Sequence, residues 1–420
     1  MITLVSMVAS DSRHVLIVNQ HGDNRGDEAA LDAMLHGIES RLGEVQFTVI
    51  HQMRNVASAK AMRPDVELIT LRLPVTEAVR LVIFLMFRVL GLKMKFLLGP
   101  IGRQTIRAFE TADVVVSAPG GPYFGDIYIN HEFVHWLYVW MASMHHKPSV
   151  LYATSAGPFH KKWANPFRRF TYRQFHSVLV REEISAKHIR DLFGSRSKNL
   201  TVQVTVDSAL QRSVRPIDRD TSRSLIVVSA INWAYKGDPD PEQRKKDYDN
   251  IVAFAAMRLA DGNPCDVLLV PQLHDTHHRD APYLEKLADV IRRHVTGSDI
   301  TVSVLDENQD MLTQRSYFAA ATWVIAGRYH PAVFAISAGV PQLCIAYEHK
   351  AIGLLQLAEL HDIVLPIEEA TTERVTQIVE HLLRNRSDIA QRSATAATKL
   401  QELSELTSDA VVAALKPRSL

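Results

Sequence analysis

The segment Gly327-Arg328-Tyr329-His330-Pro331 combines residue types that bind anions and transfer protons. It follows the apolar run 322–326, which predicts a buried parallel strand, and Pro331 predicts the first turn of a helix. In open α/β sheets ligands bind at the carboxyl ends of strands, and a helix N-terminus there favours an anion. Arg328 adds a planar fork that matches carboxylate or phosphate, and His330 adds an acid–base group. The segment predicts an anion site with a proton-transferring residue beside it.

Two other basic residues are candidates for the same site. Arg181 follows the short apolar run 178–180, and Glu182 and Glu183 come directly after it. An arginine beside two glutamates is typical of a structural ion pair. If Arg181 faces Arg328 across a cleft, it becomes a second contact for the anion. Lys350 either reaches a phosphate or begins a solvated helix, and both interpretations stay open.

A glycine-containing loop joins the first predicted strand, residues 14–19, to the first predicted helix. Gly22 and Gly26 allow a tight turn and a close approach of the backbone to a ligand. Asn19 and Asp27 suit hydrogen bonds to neutral hydroxyl groups, such as those of a sugar. Alternatively, Asp27 caps the helix and complements its dipole.

A second glycine-rich loop spans residues 118–126, after the predicted strand 113–117. The adjacent Gly120 and Gly121 indicate either close approach of a ligand or a plain turn. Asp126 is a further candidate to orient hydroxyl groups. Ser155-Ala156-Gly157-Pro158 ends the next predicted strand in the same manner, so three loops are expected at one rim.

Length and composition limit the class of protein. The 420 residues exceed one ordinary core and predict two domains. The net charge of +1 gives no broad basic footprint, so nucleic acid is not an expected partner. Cys265 and Cys344 are expected to be buried thiols of a reducing compartment, and we expect a cytoplasmic protein. The first ten residues lack a basic leader with a full apolar core, so a secretion signal is not predicted.

Strand-like and helix-like runs alternate along the whole chain. This alternation predicts parallel sheets with crossover helices, and therefore an α/β fold of two Rossmann-like, doubly wound domains facing across a cleft. The predicted domains are residues 1–212, which contribute Arg181, and 224–395, which contribute Arg328 and His330. Residues 213–223 form the predicted linker, and residues 396–420 form a helical tail.

The apolar segment 79–98 contains four basic residues, Arg80, Arg88, Lys93 and Lys95. A spanning helix needs about 20 residues with few or no charges, so the segment is not expected to cross a membrane. It is either a helix that lies on the inner face of the membrane or a core helix whose basic side chains reach outwards. Peripheral attachment therefore stays open.

Taken in order, these motifs resemble the polysaccharide pyruvyl transferase family over about residues 19–350. The matching motifs are Asn19 with Gly26-Asp27-Glu28-Ala29, Gly120-Gly121, Ser155-Ala156-Gly157-Pro158, Val180-Arg181-Glu182 with Ser185, Val206-Asp207-Ser208-Ala209, and Gly327-Arg328-Tyr329-His330 with Gly339-Val340-Pro341, Tyr347 and Lys350.

The resemblance implies a GT-B-like fold, a phosphoenolpyruvate donor and a saccharide acceptor, free or lipid-linked, that gains a pyruvate ketal. It implies that Arg181, Arg328 and His330 contact the donor, with His330 as the acid or base. We expect Asp27 to assist catalysis. The other expected substrate-binding residues are Tyr329, Asn19, Gly120, Gly121, Asp126 and Lys350.

Other functions remain open at this point. A GT-B glycosyltransferase with a nucleotide-sugar donor would share the fold and would need an acidic residue such as Glu348 for the ribose. A non-catalytic metabolite-binding protein would not need His330. No metal or cofactor is predicted, since the run His274-Asp275-Thr276-His277-His278 lacks helical spacing and a second ligand cluster, and a polar rim is preferred there.

Overall fold

The protein contains two parallel β-sheets with helices packed against them. The structure, a computed structural model, describes residues 12–22, 24–52, 63–70, 75–92, 94–194, 200–274 and 279–416. The central strands of both sheets are nearly continuous runs of buried residues, as expected when helices cover both faces of a parallel sheet. This confirms the predicted α/β class.

The first sheet has eight strands in the described residues, in the order β3-β2-β1-β4-β6-β7-β8, with β5 beside β6. These strands are β1 Arg13–Gln20, β2 Val45–His51, β3 Glu67–Thr70, β4 Val114–Ser117, β5 Gly120–Phe124, β6 Ser149–Ala156, β7 Ser177–Val180 and β8 Val202–Val204. The helices in this half are α1 Arg25–Leu42, α2 Val75–Val89, α3 Pro100–Thr111, α4 Ile129–Met144, α5 Asn165–Tyr172 and α6 Glu183–Phe193.

The second sheet has six strands in the described residues, in the order β11-β10-β9-β12-β13-β14. They are β9 Ser224–Ser229, β10 Cys265–Leu269, β11 Ile300–Val304, β12 Trp323–Ala326, β13 Gln342–Ala346 and β14 Val364–Pro366. The helices are α7 Pro241–Ala260, α8 Ala281–His294, α9 Met311–Ala320, α10 Tyr329–Ser337, α11 His349–Leu357, α12 Thr372–Arg384 and α13 Arg386–Ala414. Cys265 and Cys344 are buried free thiols, as predicted.

Two sequence-based predictions of local structure were wrong. The glycine-rich segment was expected to be a loop, but Gly120–Phe124 forms β5, which pairs with β6 through Gly120 opposite Thr154 and Phe124 opposite Ala156. Burial of Phe124 in the core stabilises this strand. The segment 79–98 was treated as one helix, but α2 ends at Val89, and Gly91 then adopts a left-handed φ of 83°. No helix within the described ranges is long and apolar enough to span a bilayer.

The last helix returns to the first sheet. α13 contains most of the predicted tail but begins at Arg386, and it packs against α1 and β6. The Tyr152 hydroxyl lies 2.6 Å from Ser408 Oγ, and Gln211 donates to the Ser404 carbonyl over 2.6 Å. Along the sequence, all strands of the first sheet in the described residues precede the predicted linker, and all strands of the second sheet follow it. The exact domain boundaries stay a prediction.

The N-terminus of α1 contacts the second half of the chain directly. The Arg25 amide donates to the Gln272 carbonyl at 3.0 Å, and its guanidinium donates to the Glu307 carbonyl at 2.8 Å. Glu28 accepts from Arg25 at 2.7 Å and lies 3.0 Å from His274 Nε2. These contacts fix the first loop of one sheet against strand-end loops of the other.

Candidate active site

A cavity of about 250 Å³ lies between strand-end loops of the two sheets. Its lining residues are Asn24, Asp27, Gly121, Tyr123, Ile127, Arg181, Gln272, Leu273, Arg328, Tyr329, His330, Pro331, Tyr347, Glu348 and Lys350. The structure therefore brings seven predicted site residues together, from segments that extend from Asp27 to Lys350 in the sequence. The other three predicted site residues, described below, do not line the cavity.

The buried ring of Tyr329 joins cations from both halves of the protein. The guanidinium carbon of Arg181 lies 4.8 Å from the ring centroid, and Lys350 Nζ lies 5.2 Å from it. Cations near an aromatic face are attracted by the ring quadrupole. Tyr329 therefore fixes Arg181, which follows β7, relative to Lys350 in α11.

Arg181 is already paired inside the protein. It donates to Ser155 Oγ at 2.9 Å and to Asp207 Oδ2 at 2.8 Å, while its Nη2 donates to none of the described residues. Burial alone lowers the pKa of Arg181, but Tyr329, Asp207 and Glu182 raise it overall. Arg181 thus stays charged, with part of its guanidinium committed to Asp207.

Arg328 occupies the position just before α10. It donates through Nη2 to Asp280, a carboxylate that also accepts from the amides of Gln272 at 3.0 Å and Leu273 at 2.9 Å. The buried Nε of Arg328 has no hydrogen-bond partner among the described residues. Because an unpaired buried donor is costly, a ligand oxygen that reached this N–H would relieve that cost.

His330 packs against the backbone of α1. A Cβ added at Gly26 would lie 1.9 Å from His330 Nδ1, so the imidazole occupies space that any other residue would fill. Its Nε2 lies 3.8 Å from Asp207 Oδ2. Burial lowers the pKa of His330 to about 4, although Asp207 opposes that shift. The imidazole is therefore neutral near pH 7 and can accept a proton.

Asp27 shows the opposite shift. Burial raises the pKa of Asp27 to about 7, although Arg181 and Lys350 act in the other direction. Its carboxylate accepts from Asn24 Nδ2 at 2.7 Å, while its amide donates to Asn24 Oδ1 at 2.9 Å. Asn24 is thus the N-cap of α1, and the alternative that Asp27 caps the helix was wrong. Near neutral pH the carboxyl group is present in both protonated and ionised forms.

Three helix N-termini meet at the cavity. α1 is capped by Asn24, whereas α10 after Arg328 and α11 after Glu348 have no side-chain cap. Uncapped N-termini present free N–H groups and a partial positive charge. Glu348 pairs with Lys350 at 2.7 Å, and this pairing lowers the pKa of Glu348 although burial raises it. The cavity thus suits an anion that approaches α10 and α11.

Comparison with known sequences agrees with this arrangement. The sequence model of the polysaccharide pyruvyl transferase family matches residues 24–349. The chain belongs to that family. It is also 23% identical over 300 residues to the amylovoran biosynthesis protein AmsJ of Erwinia amylovora, covering 68% of each chain. The protein is therefore a transferase enzyme of polysaccharide biosynthesis, as the sequence predicted.

Solved structures show the fold. A putative UDP-N-acetylglucosamine 2-epimerase from Listeria monocytogenes matches with a TM-score of 0.57 at 11% identity, covering 94% of both chains. The Neisseria meningitidis UDP-N-acetylglucosamine 2-epimerase gives 0.58 at 10%, covering 95% of this chain and 100% of that one. The trehalose 6-phosphate synthase of Burkholderia multivorans gives 0.54 at 11%, covering 96% and 98%. This pyruvyl transferase family member therefore has the predicted GT-B-like fold.

Three predicted site residues of this pyruvyl transferase family member do not line the cavity. Asn19 donates to Ser117 Oγ at 2.9 Å, and its buried Oδ1 has no partner among the described residues. Gly120 is buried at the start of β5. Asp126 pairs with the buried Arg168 at 2.7 Å and accepts from two backbone amides after β6. Their predicted contacts with substrate stay predictions.

Sequence reasoning assigned no role to Asp207 or Asn24, and it assigned a different role to Gly26. Asp207 was part of a family motif, yet its position between Arg181 and His330 depends on contacts distant in sequence. Gly26 was expected to admit a ligand, whereas it admits the His330 ring. Asp207 could have been noticed as an isolated acidic residue after a predicted strand. Asn24, three residues before Asp27, could have been noticed as a helix N-cap.

The histidine-rich loop gives no described metal site. His274 lies 3.0 Å from Glu28, and residues 275–278 lie outside the described residues. Across the described ranges, no group of three or more His, Cys, Asp or Glu residues has the arrangement of a metal site. His274 instead contributes to the contact between α1 and the second half of the chain.

Proposed function

We propose that the protein transfers the enolpyruvyl group of phosphoenolpyruvate to two hydroxyls of one sugar residue, forming a pyruvate ketal. The observation that carries this proposal is the pair Asp27 and His330, whose pKa values are shifted in opposite directions beside an anion-binding cavity. A raised carboxyl pKa next to a lowered imidazole pKa is the pattern of an acid and a base.

The donor is a small molecule with two anionic groups, a carboxylate and a phosphate. The free Nε–H of Arg328, the ammonium of Lys350 and the uncapped N-termini of α10 and α11 support their binding. Arg181 contributes its remaining Nη2 and positions Asp207 and Tyr329. Each arginine has a carboxylate partner, so the cavity is less positive than a count of its arginines suggests.

In this reaction Asp27 is the acid and His330 is the base, in keeping with their pKa shifts. Protonated Asp27 gives its proton to the methylene carbon of phosphoenolpyruvate, which makes C2 electrophilic. Neutral His330 removes the proton from the first sugar hydroxyl as its oxygen bonds to C2. The C2–phosphate bond then breaks, the released phosphate takes the proton from His330, and the second hydroxyl closes the ketal as its proton passes to the Asp27 carboxylate. The two hydroxyl protons balance the new C–H bond and the protonated phosphate that is released.

The acceptor side is formed by the first half of the chain. Gly121, Tyr123 and Ile127 line the cavity there, and the Tyr123 ring is held by stacking on His21, with the ring centroids 3.6 Å apart. We propose a saccharide acceptor from polysaccharide or glycolipid assembly in the cytoplasm. Phosphoenolpyruvate is consumed as a substrate, and no metal or cofactor takes part, so turnover should withstand dialysis against EDTA.

The test measures inorganic phosphate released from phosphoenolpyruvate with and without candidate saccharides, and the product mass by mass spectrometry. Acceptor-dependent phosphate and a pyruvate ketal on the sugar are expected. The proposal would be refuted by phosphate release without formation of a ketal. It would also be refuted if no saccharide from the polysaccharide of the source organism supported phosphate release.

The same experiment separates the alternatives. Thermal stabilisation by a nucleoside diphosphate but not by phosphoenolpyruvate would instead support a glycosyltransferase with a nucleotide-sugar donor. Stabilisation by phosphoenolpyruvate without turnover would support a metabolite-binding protein. If EDTA abolished activity and added metal restored it, the result would contradict only the proposal that no metal takes part.

A further inference from the structure

The exposed apolar side chains are concentrated in one stretch of the chain. In the described residues, every exposed large hydrophobic side chain lies between positions 79 and 184. Met86 is 66% exposed, Val89 74%, Phe96 75% and Trp163 56%. Isolated exposed apolar residues are ordinary, whereas a concentration in one region indicates a binding surface.

Aromatic contacts join these side chains into one surface. Trp163 stacks with Phe133 at 6.1 Å, and Phe133 lies 4.9 Å from the buried Trp136. Trp136 stacks with Trp140 at 6.2 Å, and Trp140 contacts the half-exposed Phe170 at 5.7 Å. The outer members therefore rest on a common aromatic layer in α4.

A groove continues this layer to α2. It has a volume of about 320 Å³ and is lined by apolar residues of α2, by Trp140 and other residues of α4, and by Phe170 of α5. The inner side of α2 packs Leu81, Phe84 and Leu85 into the core, so the helix has both a buried and an exposed apolar side. The buried side agrees with the interpretation of segment 79–98 as a core helix, while the interpretation as a membrane-surface helix stays a prediction.

The charges around this surface are mostly basic, although Glu77 lies in the first turn of α2 and Glu110 pairs with Lys95. Residues 79–98 and 157–175 contain no Asp or Glu. Arg80, Lys161, Lys162 and Arg173 are exposed, and none of them has an ion-pair partner among the described residues. We call the exposed apolar residues of α2, 90–96 and 163–170, with these basic residues, the apolar–basic face.

We propose that the apolar–basic face binds the surface of an anionic lipid bilayer. Apolar and aromatic side chains enter the boundary between headgroups and acyl chains, while arginine and lysine contact lipid phosphates. A second copy of the chain fits less well, because a two-fold interface would bring two basic surfaces together. Charge complementarity therefore favours the bilayer.

The helix α4 connects the aromatic layer with the active-site cavity. Ile127, which is 57% exposed, lines the cavity and lies two residues before the start of α4. Binding through the face would bring this end of α4, and with it the acceptor side of the cavity, towards the bilayer. We infer that the saccharide acceptor is lipid-linked, and this part rests on the proposed function.

The test is flotation of the full-length protein with phosphatidylcholine vesicles, with and without phosphatidylglycerol. We expect binding only to the anionic vesicles, and weaker binding as salt rises. Lys161→Gln with Lys162→Gln should weaken binding about five-fold per charge. Met86→Gln with Val89→Gln should weaken it about ten-fold, because both side chains are mostly exposed in the free protein.

Matched controls separate the face from the rest of the surface. Lys286→Gln with Arg293→Gln removes two exposed charges from α8, and Ile184→Ser removes an exposed apolar residue outside the aromatic layer and groove. Both should bind vesicles like the parent. The melting temperature of each variant shows whether it is folded. The two lysines replaced in the face, Lys161 and Lys162, are exposed, so their replacement leaves the core unchanged.

Three results would overturn the proposal. They are no flotation of the parent, equal flotation with both vesicle types, or a dimer in sedimentation equilibrium that Met86→Gln with Val89→Gln dissociates. Phosphate release with a water-soluble saccharide reports the proposed function separately, and the face variants should retain it. Vesicle binding without turnover would leave the bilayer proposal standing while refuting the transferase chemistry.

Discussion

The two walls of the cavity differ in how they hold their functional groups. The wall from the second half presents Arg328, His330 and Lys350 on short segments around two helix N-termini. The wall from the first half presents Asp27 and Arg181, which are nearly enclosed and held by Asn24 and Asp207. One wall thus supplies the neutral imidazole and the anion-binding groups, and the other supplies the carboxyl group whose raised pKa makes it an acid. Catalysis in this account requires both walls in contact.

The largest expected effect is loss of the imidazole. His330→Ala should lower kcat by roughly 10²–10⁴-fold, as expected for removal of a general base, with a smaller change in the KM for phosphoenolpyruvate. Steady-state phosphate release measures both. A near-normal kcat with a raised KM would make His330 a binding residue and leave the second wall without a proton acceptor.

The matching change in the first wall is Asp27→Asn, which should lower kcat to a similar extent. It also has a readout in stability. Because the folded pKa of Asp27 is raised to about 7, the parent loses stability as pH rises from about 4 to 7. The variant lacks this loss, so its stability relative to the parent should increase over that range by a few kcal/mol at most.

Denaturant unfolding at pH 4 and at pH 8 checks this expectation. A stability difference between Asp27→Asn and the parent that is the same at both pH values would contradict the raised pKa, even if activity were lost.

The contact between the walls is tested at Gly26. Gly26→Ala places a methyl group where the His330 ring lies, so the ring must move, and we expect kcat to fall about ten-fold or more. Gly353→Ala is a matched control, since nothing lies within 4 Å of its added Cβ and it lies inside α11. A Gly26→Ala enzyme with normal kcat would show that His330 acts without this contact.

Donor binding by the second wall is tested by Arg328→Lys. The charge is kept but the planar fork and its Nε–H are lost, so the KM for phosphoenolpyruvate should rise about ten-fold with little change in kcat. An unchanged KM, with isothermal titration showing unchanged donor affinity, would assign donor binding to Lys350 and the helix N-termini.

The smallest effect on activity is expected at Asp126, which the sequence placed among the substrate-binding residues. Its carboxylate pairs with Arg168, which also pairs with the buried Glu132 at 2.8 Å. Asp126→Asn should therefore lower the melting temperature more than it lowers kcat/KM. A selective rise in the KM for the acceptor, with unchanged melting, would restore Asp126 to the site.

The sequence predicted the second wall better than the first for a physical reason. Arg328 and His330 lie in one segment between a strand and a helix, so their placement follows from local structure. In contrast, the roles of Asp207 and Gly26 depend on Arg181 and His330 approaching from other elements. Periodicity shows which residues form a strand or helix, but not which ion pair a buried carboxylate will make.

The overall fold was predictable because parallel strands are continuous apolar runs separated by helices. The errors occurred where side-chain pattern is weak. β5 contains two glycines and a proline, and its pairing with β6 depends on burial of Phe124. The end of α2 follows from the left-handed Gly91, which an apolar segment does not reveal. The exposed aromatic layer on α4 likewise required the packed structure.

The most direct test of the central claim is the pH dependence of kcat/KM for phosphoenolpyruvate in the parent and in Asp27→Asn. Deprotonation of His330 should produce a rise near pH 4, and deprotonation of Asp27 a fall near pH 7. Ionisation of the substrate is common to both enzymes, so the difference between the profiles belongs to Asp27. We predict that the fall near pH 7 disappears in the residual activity of Asp27→Asn. An unchanged alkaline fall in the variant would contradict the assignment of the acid to the first wall.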